Sequence, residues 1–398
     1  MRILWITSHL PYPPISGGRL REYELIRRLV VRDDVRVIAL TKTEDDWNHV
    51  DGLRRLCPVE IFPVQPNSDA PCHAMAAHAA PDMSAAVARA VPDVDVVHVE
   101  GFYLVQHLPE SAVPLFLVDQ NIEFQLWEQR CVVARAESEE DRRRLAREAI
   151  ACRAAEVDAW RRATLCATVT HEDGNVLKTI APDVSTLVVP DGADHLDLSC
   201  ASETVDRRSA EKRRAPRLIF VANFAYQPNV DAAVFLLDEI LPRVRSQVPY
   251  SMLDLVGNAP PASLMEQAGR LGGIRVTGRV RDVTPFLLGA DVAVCPLRIG
   301  GGVKVKVLEA VVAGIPVVTT PVGAQGLPSG LGVPLVAAPD PDAIAEAVVR
   351  ALRDPTLRWR SRAAAKAMAR LLPTWDEAAL MLRTGHELAR NGGMAVSA

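Results

Sequence analysis

The chain has 398 residues, of which 49% are hydrophobic and 24% are charged, and its formal net charge is -4. This length exceeds what one hydrophobic core normally serves, so we expect two domains. The hydrophobic content excludes a disordered or fibrous protein. The small acidic excess argues against a dedicated nucleic-acid binder, which usually carries a basic surplus.

The cysteines and the first apolar run bear on the environment of the protein. Seven cysteines include no CxxC pair, so neither a disulfide framework nor a zinc site is indicated, and a reducing cytoplasm fits best. The run Ile3–Thr7 is short and ends in a proline-rich loop, which predicts a buried strand and not a signal peptide. No apolar run approaches the roughly 20 residues of a membrane span. We expect a cytoplasmic protein.

In the first half of the chain, short apolar runs alternate with segments of helical periodicity. The predicted strands are Ile3–Thr7, Val35–Leu40, Val94–Val99, Leu115–Val118, Leu165–Val169 and Thr186–Val189. Residues 20–30 have the period of a helix, and Glu123–Ala163 predicts two helices or one bent helix. Apolar strands of this kind, separated by helices, indicate a parallel sheet in an α/β layer.

The second half repeats this alternation. The predicted strands are Leu218–Val221, Met252–Val256, Ile274–Thr277, Val292–Cys295, Val317–Thr319 and Val333–Val336. The predicted helices are Asn229–Val244, Ala262–Arg270, Val283–Leu288, Val303–Ala313, Pro341–Leu352, Leu357–Leu371 and Trp375–Leu388. Strands that alternate with helices of this length predict a second doubly wound sheet.

These patterns predict an α/β protein with two Rossmann-like, doubly wound domains. We place the N-terminal domain at residues 1–195, a polar linker at 196–215 and the C-terminal domain at 216–372. Residues 373–398 predict a last helix that packs back on the N-terminal domain. Ligands in such sheets bind at the carboxyl ends of the strands, so we expect the site in a cleft that the two domains face.

The first candidate for ligand binding follows the first strand. Gly17 and Gly18 open a helix, where a close backbone approach and free N–H groups suit a phosphate. A plain strand-to-helix turn would account for the same residues.

The second candidate follows the predicted strand Val292–Cys295. Gly300, Gly301, Gly302 and Val303 lead into a helix, with Arg298, Lys304 and Lys306 around them. Backbone N–H groups, a helix dipole and cations together predict an anion-binding loop. Glu309 lies two turns into this apolar helix, and a buried carboxylate there can accept hydrogen bonds from the hydroxyls of a ribose. A solvated helix residue is the alternative.

The third candidate is the segment Asp119–Glu123, at the end of the predicted strand Leu115–Val118. Asp119 or Glu123 could accept a proton from an acceptor hydroxyl, and Gln120 or Asn121 could bind that hydroxyl. Asp or Asn before a helix with Glu in its first turn is also an ordinary capping pattern. His98 lies at another strand end, where catalysis and a structural hydrogen bond remain alternatives.

Several segments together resemble the group 1 (family four) retaining glycosyltransferases of GT-B fold. The most specific is residues 300–320, GGGVKVKVLEAVVAGIPVVTT, which resembles the donor-site signature of that family. The other matching segments are, in order, residues 14–19, 189–194, 226–233, 278–282, 290–296 and 323–326. The resemblance therefore covers nearly the whole chain.

The resemblance implies a GT-B fold and sugar transfer from a nucleoside diphosphate sugar, most readily a UDP-sugar, with retention at the anomeric carbon. Glu309 would accept the ribose hydroxyls, and Gly17 and Gly18 would cap the diphosphate. Residues 300–303 would hold the diphosphate or the sugar, the backbone of Arg279 and Val280 would meet the base, and Asn223 would lie at the donor site. No cofactor and no metal is expected.

The chain departs from the family pattern at three places. The family usually carries two glutamates eight positions apart, the second of which is Glu309. The first, which normally contacts the donor sugar, is replaced here by Gly301, so the choice of sugar stays open. An Arg and a Lys usually follow the first strand of the second domain, and here residues 222–227 contain neither, so Arg298, Lys304 or Lys306 would meet the phosphate charge. Gln120 stands where the family often has His.

The expected substrates are the sugar donor and a hydroxyl or amine acceptor, in polysaccharide assembly or in the tailoring of a bacterial natural product. No nucleic-acid partner is expected, and a homodimer is possible. A sugar-nucleotide epimerase of the same fold and a non-catalytic binder of nucleotide sugars are the alternatives.

Overall fold

The computed structural model describes residues 1–110, 113–133, 138–195, 215–328 and 335–393. The chain divides into two compact units, the first made of Met1–Gly192 with Thr374–Ala398 and the second of Ala193–Pro373. Each unit has its own parallel sheet and its own apolar core. The expected linker, residues 196–215, lies outside the described residues apart from its last position.

The first unit contains a seven-stranded parallel sheet in the order β3-β2-β1-β4-β5-β6-β7. The strands are β1 (Arg2–Thr7), β2 (Asp34–Thr41), β3 (Val59–Pro63), β4 (Val96–Glu100), β5 (Leu115–Asp119), β6 (Leu165–Thr168) and β7 (Thr186–Val188). Every residue of β4 and β5 is buried, because helices cover both faces of the sheet. In register, Ile3 of β1 lies beside Val96 of β4, so both strands end at the same edge.

The helices of the first half of the chain all belong to this unit. They are α1 (Gly17–Leu29), α2 (Glu44–Arg54), α3 (His73–Ala77), α4 (Pro81–Ala90), α5 (Glu123–Val133), α6 (Glu139–Arg162) and α7 (His171–Ile180). Short 3-10 helices occur at Val91–Asp93 and Phe102–His107. The long charged region therefore contains two helices, and residues 134–137 between them lie outside the described residues.

The second unit contains a six-stranded parallel sheet in the order β10-β9-β8-β11-β12-β13. The strands are β8 (Arg217–Val221), β9 (Met252–Val256), β10 (Ile274–Val276), β11 (Val292–Cys295), β12 (Val317–Thr319) and β13 (Leu335–Val336). Strands β8 and β11 are neighbours at the centre, where the strand order changes direction. Loops that follow these two strands therefore emerge side by side, at the place where open α/β sheets bind ligands.

The helices of the second unit alternate with these strands. They are α8 (Gln227–Phe235), α9 (Leu241–Gln247), α10 (Ala262–Leu271), α11 (Thr284–Gly289), α12 (Val305–Val312), α13 (Pro321–Ala324), α14 (Pro341–Arg353) and α15 (Pro355–Leu371). A π-helical turn, Leu236–Ile240, joins α8 to α9, so the helix predicted there is continuous but distorted. None of the described helices is long and apolar enough to cross a membrane.

The last helix, α16 (Trp375–Arg390), belongs to the first unit. It begins with a capping box, in which Thr374 Oγ1 accepts from the Glu377 N–H and the Glu377 carboxylate accepts from the Thr374 N–H. Its apolar face carries Trp375, Ala378 and Leu382 into the core of the first unit. The chain therefore returns to its first domain at the end, as the predicted fold requires.

Two departures from the predicted elements have local causes. Helix α12 begins at Val305 and not at Val303, since Gly302 has φ 63° and Lys304 has non-helical angles. Helix α4 was not predicted because its buried stripe is partly alanine (Met83, Ala86, Val87 and Ala90), which gives little apolar periodicity. The strand β3 and the helices α2, α3, α7 and α13 were also missed.

The close approach of α16 to the sheet depends on a glycine. A Cβ added at Gly385 would lie 2.5 Å from Phe116 Cε2 and 2.9 Å from Leu187 Cδ2. We therefore expect Gly385→Ala to lower the free energy of unfolding by about 1–3 kcal/mol, as overpacked cores do. The control is Gly269→Ala on α10, where nothing lies within 4 Å and alanine should stabilise the helix by up to about 1 kcal/mol. Denaturant unfolding of both variants measures this, and equal stability of Gly385→Ala and wild type would contradict the packing.

Candidate functional site

The glycine-rich loop of the second unit is held together by Lys304. This loop joins β11 to α12, and Lys304 Nζ donates hydrogen bonds to the carbonyl oxygens of Gly301 at 2.8 Å and Gly302 at 2.6 Å. A Cβ at Gly300 would lie 2.9 Å from Lys304 Cε, so glycine there lets the lysine fold back over the loop. The side chain is buried. Lys304 therefore shapes the loop, and differs from the mobile phosphate-binding cation that the sequence suggested.

Lys306 connects α12 to α8 and, through Asn229, to the loop after β8. Its Nζ donates to Asn229 Oδ1 and lies 5.5 Å from the centroid of the Phe220 ring. Asn229 Nδ2 in turn donates to the carbonyl oxygen of Asn223 at 2.7 Å. Burial lowers the pKa of the Lys306 ammonium. The predicted donor-site residues Asn223 and Lys306 are thus brought together by Asn229, which belongs to the matching segment 226–233 but had no predicted role.

Arg298 is engaged by an acidic partner that the sequence analysis missed. Its guanidinium forms a forked ion pair with Asp231, with Nε 3.0 Å from Asp231 Oδ2, and it also lies 4.5 Å from the centroid of the Phe235 ring. Arg298 therefore anchors the start of the glycine-rich loop on α8. The sequence analysis had instead suggested that Arg298 binds a phosphate of the ligand.

Glu309 lies on the second turn of α12 and remains partly accessible. Its side chain is 16% exposed, while Val307, Leu308 and Ala310 are buried. The imidazole of His195 is nearby, with Nε2 3.7 Å from Glu309 Oε1. His195 is more than one hundred positions away in sequence, and no local pattern marked it. A carboxylate in this setting is available to accept hydrogen bonds from a ligand.

Arg279 and Val280 follow β10, at the edge of the sheet. Arg279 is exposed, and Val280 packs against the core of the second unit. Gly278 before them has φ 66°, and its carbonyl oxygen accepts a hydrogen bond from Thr277 Oγ1 at 2.8 Å. Strand β9 separates β10 from β8, so this loop is two strands away from the loop of Asn223.

In the first unit, Gly18 lies beside Gln120 and His9. A Cβ added at Gly18 would be 3.2 Å from Gln120 Oε1 and 3.5 Å from His9 Cε1. Gly17 and Gly18 are the first two residues of α1, and the first turn of a helix leaves its N–H groups without helical partners. The structure therefore joins two of the sequence candidates, the first glycine loop and Gln120.

His98 is fully enclosed, which corrects its reading as a residue that meets substrate. It stacks on Trp5 with 3.6 Å between ring centroids, and its Nε2 donates to Glu100 Oε1 at 2.9 Å. Its Nδ1 shares a hydrogen bond of 2.9 Å with Nε2 of His386 on α16. Glu100 also accepts a hydrogen bond from Gln120 Nε2 at 2.9 Å. His98 can therefore act only through other residues.

Asp119 is likewise buried, so the structure does not support it as a base in contact with substrate. Its carboxylate accepts hydrogen bonds from the N–H of Phe102 at 3.0 Å and from Trp160 Nε1 at 2.6 Å. Burial raises its pKa to about 7, and the negative charges of Glu123 and Glu100 act in the same direction. Asp119 joins β5 to a 3-10 helix and to α6, which is a structural role.

Glu123, like Gln120, remains partly accessible. Its backbone N–H and that of Phe124 donate to the two carboxyl oxygens of Glu156, each at 2.9 Å. Glu156 of α6 therefore caps the N-terminus of α5. The capping pattern in the sequence had suggested a residue of the segment itself, such as Asp119. Burial raises the pKa of the Glu123 carboxyl to about 7, a value suited to taking up a proton near neutral pH.

Comparison with known protein families decides what the second unit is. Residues 215–354 match the family of group 1 glycosyl transferases. This unit is a group 1 glycosyltransferase domain. It contains the glycine-rich loop, Lys306 and Glu309, which carried the resemblance in the sequence. No curated protein sequence matches the chain.

Solved structures share the fold of the whole chain at low sequence identity. Sucrose-phosphate synthase from Thermosynechococcus elongatus has a TM-score of 0.70 at 15% identity, with 97% of this chain and 98% of that chain covered. HepE of Anabaena, in complex with UDP and glucose, has a TM-score of 0.66 at 16% identity, with 96% and 98% covered. An α,α-trehalose-phosphate synthase from Burkholderia xenovorans, in complex with glucose 6-phosphate, has a TM-score of 0.63 at 11% identity, with 98% and 100% covered. These likenesses confirm the predicted GT-B fold, and the family match of residues 215–354 confirms the predicted glycosyltransferase enzyme.

The raised pKa of Glu123 predicts a pH dependence of stability. An unfolded glutamate releases its proton near pH 4.5, whereas the folded chain holds it up to about pH 7. Between these values the folded state binds more protons, so this group makes unfolding easier as the pH rises. Between pH 5 and 8 we expect the free energy of unfolding of wild type to fall by roughly 1–3 kcal/mol more than that of Glu123→Gln, which has no carboxyl group at this position. Denaturant unfolding at several pH values measures it, with Glu172→Gln as the control. Parallel pH profiles for wild type and Glu123→Gln would contradict the prediction.

Proposed function

We propose that the chain transfers a sugar from a nucleoside diphosphate sugar, with a UDP-sugar as the first candidate, to a hydroxyl or amine acceptor. The anomeric configuration is retained, and neither a metal nor a cofactor takes part. The reaction takes place in the cytoplasm and serves polysaccharide assembly or the tailoring of a bacterial natural product. Structures with the same fold have been solved with UDP and glucose and with UDP-glucose, which supports the choice of donor.

The observation that carries this proposal is the placement of Glu309 after the glycine-rich loop. The loop follows β11, and its backbone leads into the N-terminus of α12, where backbone N–H groups and the helix dipole attract a phosphate. Glu309 lies one turn further along the same helix, with its carboxylate partly exposed. A nucleoside diphosphate presents a phosphate and a ribose diol at such a spacing, and a carboxylate accepts hydrogen bonds from both hydroxyls of a diol.

Backbone groups supply most of the positive potential for the diphosphate in this proposal. Lys304 and Arg298 already bind the loop carbonyls and Asp231, so they set the conformation of the loop. An ammonium has three N–H donors, so Lys306 can reach a phosphate oxygen while it keeps its hydrogen bond to Asn229. The N-terminus of α1 at Gly17 and Gly18 provides a second anion-binding position.

Transfer then depends on position and electrostatics more than on a strong nucleophile. Loop N–H groups stabilise the charge that develops on the leaving phosphate. The leaving phosphate itself can take up the proton of the acceptor, and Glu123, with a pKa of about 7, is the second candidate for that role. No side chain of position 301 contacts the sugar, because this residue is glycine.

The test is a thermal-shift comparison of UDP, GDP, ADP and TDP with their glucose or mannose derivatives. A ligand that binds the folded state raises the midpoint of unfolding by an amount set by its affinity. We expect a UDP compound to give the largest shift. Release of UDP from the best donor, followed with and without a panel of sugar acceptors, then separates transfer from acceptor-free epimerisation. Tight donor binding without turnover on any acceptor would contradict the proposed transfer.

Glu309 offers a direct test of the ribose contact. We expect Glu309→Ala to weaken binding of the best nucleotide at least about tenfold, a loss of about 1.4 kcal/mol, because two hydrogen bonds to a charged acceptor disappear. Glu309→Gln should lose less, since one oxygen remains. Titration calorimetry measures both against Glu346→Ala, an exposed glutamate on α14 of the same unit. An unchanged affinity in Glu309→Ala, with an unchanged unfolding midpoint, would refute the ribose role.

A further inference from the structure

Four polar side chains form one continuous chain of hydrogen bonds inside the first unit. His386 on α16 bonds to His98 on β4, His98 donates to Glu100 at the end of β4, and Gln120 after β5 donates to the same carboxylate. Each of these three contacts measures 2.9 Å. The chain starts in the core and ends at Gln120 beside Gly18. It connects the last helix of the protein to the first ligand-binding candidate.

Glu100 determines the orientation of the Gln120 amide group. A carboxylate accepts hydrogen bonds and donates none, so Gln120 must direct its NH₂ group towards Glu100 Oε2. The carbonyl oxygen of the same amide then points the other way, and it lies 3.2 Å from the Cβ position of Gly18. Glu100 therefore determines that the oxygen of the Gln120 amide, and not its NH₂ group, faces the glycine loop.

The buried residues of this hydrogen-bond network keep the Glu100 carboxylate ionised. Burial raises the pKa of Glu100, but the hydrogen bonds and electrostatic attraction of its neighbours, His98 first, outweigh that effect, and the pKa lies below its ordinary value. Burial lowers the pKa of His386 strongly, so its ring is neutral. Trp5 stacks on the His98 ring and holds it in the plane that both hydrogen bonds need. His98, Glu100 and His386 are each buried, so none can meet a substrate.

We propose that His386, His98 and Glu100 are positioning residues that hold Gln120 with its carbonyl oxygen facing the glycine loop, where it accepts a hydrogen bond from a substrate hydroxyl or amine. The proposal deepens the proposed function and rests on it for the identity of the ligand. An oxygen at this point admits a group that donates a hydrogen bond. It repels a phosphate oxygen, which can only accept, so the position in contact with the Gln120 oxygen suits the sugar or the acceptor, while a phosphate would bind at the N–H groups of α1.

The identity of residue 120 matters for this polarity. A histidine beside the Glu100 carboxylate would be protonated by that charge and would donate from both ring nitrogens, one to Glu100 and one outwards. Glutamine at this position presents an acceptor instead. Glutamine in place of histidine therefore changes the group at the glycine loop from a hydrogen-bond donor to an acceptor. The buried hydrogen bonds of His386, His98 and Glu100 are the same in both cases.

The first experiment needs no ligand and uses the full chain. Thermal unfolding midpoints are compared for wild type, Glu100→Gln, Gln120→Ala and the double variant. Because the two residues share a hydrogen bond to a charged group, we expect the double variant to lose clearly less than the sum of the two single losses. Additive losses would overturn the proposal, whatever the chain binds.

The second experiment measures function in the same variants, with UDP-glucose as the donor probe and UDP as the matched ligand without sugar. We expect Glu100→Gln and His386→Phe to lower kcat/KM for UDP release about tenfold in the wild-type background and less than twofold in the Gln120→Ala background. UDP affinity should change less than twofold throughout. A rise in KM for UDP-glucose would assign the bound hydroxyl to the donor sugar, and a loss confined to acceptor kinetics would assign it to the acceptor.

Two controls separate positioning from loss of stability. His386→Gln keeps a hydrogen-bonding group for His98 and should restore most of the kcat/KM that His386→Phe loses. His107→Phe removes another buried histidine of the same unit, bonded to Ser84 and to the carbonyl oxygen of His78, and should lower kcat/KM equally with and without Gln120. Equal losses in both backgrounds for Glu100→Gln and His386→Phe would overturn the proposal. If no sugar nucleotide binds wild type, the proposed function fails, and the unfolding cycle still decides whether Glu100 and Gln120 are coupled.

Discussion

Burial of both sheets on both faces is the constraint on which the rest of this structure depends. Helices cover each parallel sheet, so a polar side chain inside a strand must find a partner within the protein or lie at a strand end. Asp254 on β9 shows the first solution, because its carboxylate binds both Arg217 and Arg275. The glycine-rich loop and Gln120 show the second, since each follows the carboxyl end of a central strand. The chemistry of the protein is therefore concentrated at these ends.

Positive charges near the glycine-rich loop are used to build the loop. Lys304 closes it through its carbonyl groups, Arg298 fixes its start on Asp231, and Lys306 ties α12 to Asn229. A loop held in this way presents its N–H groups in one arrangement before a ligand arrives, which lowers the reorganisation that binding requires. The lysines and the arginine thus contribute through the conformation of the backbone as well as through their charge.

Particular residues show how far sequence reasoning reached. The strands of both units were predicted where apolar runs are continuous, as in β5 and β9, because a strand buried on both faces has no polar positions. The edge strand β3 was missed, since Glu60 interrupts its short apolar run. Gly18, the glycine-rich loop and Glu309 were found through local patterns. His195, Asp231, Asn229 and His386 were missed, because each meets its partner across a large separation in sequence.

The sequence by itself determined the two α/β domains, the glycosyltransferase family of the second and the positions of both glycine loops. These follow from local patterns, since the period of apolar residues and the spacing of glycines are read within a few turns of chain. Only the tertiary structure decided which polar groups are engaged. It buried Asp119 and His98, left Glu123 and Glu309 partly open, and turned the amide of Gln120 by placing Glu100 behind it. Accessibility and hydrogen-bond direction depend on distant segments that packing brings together, and no local pattern records them.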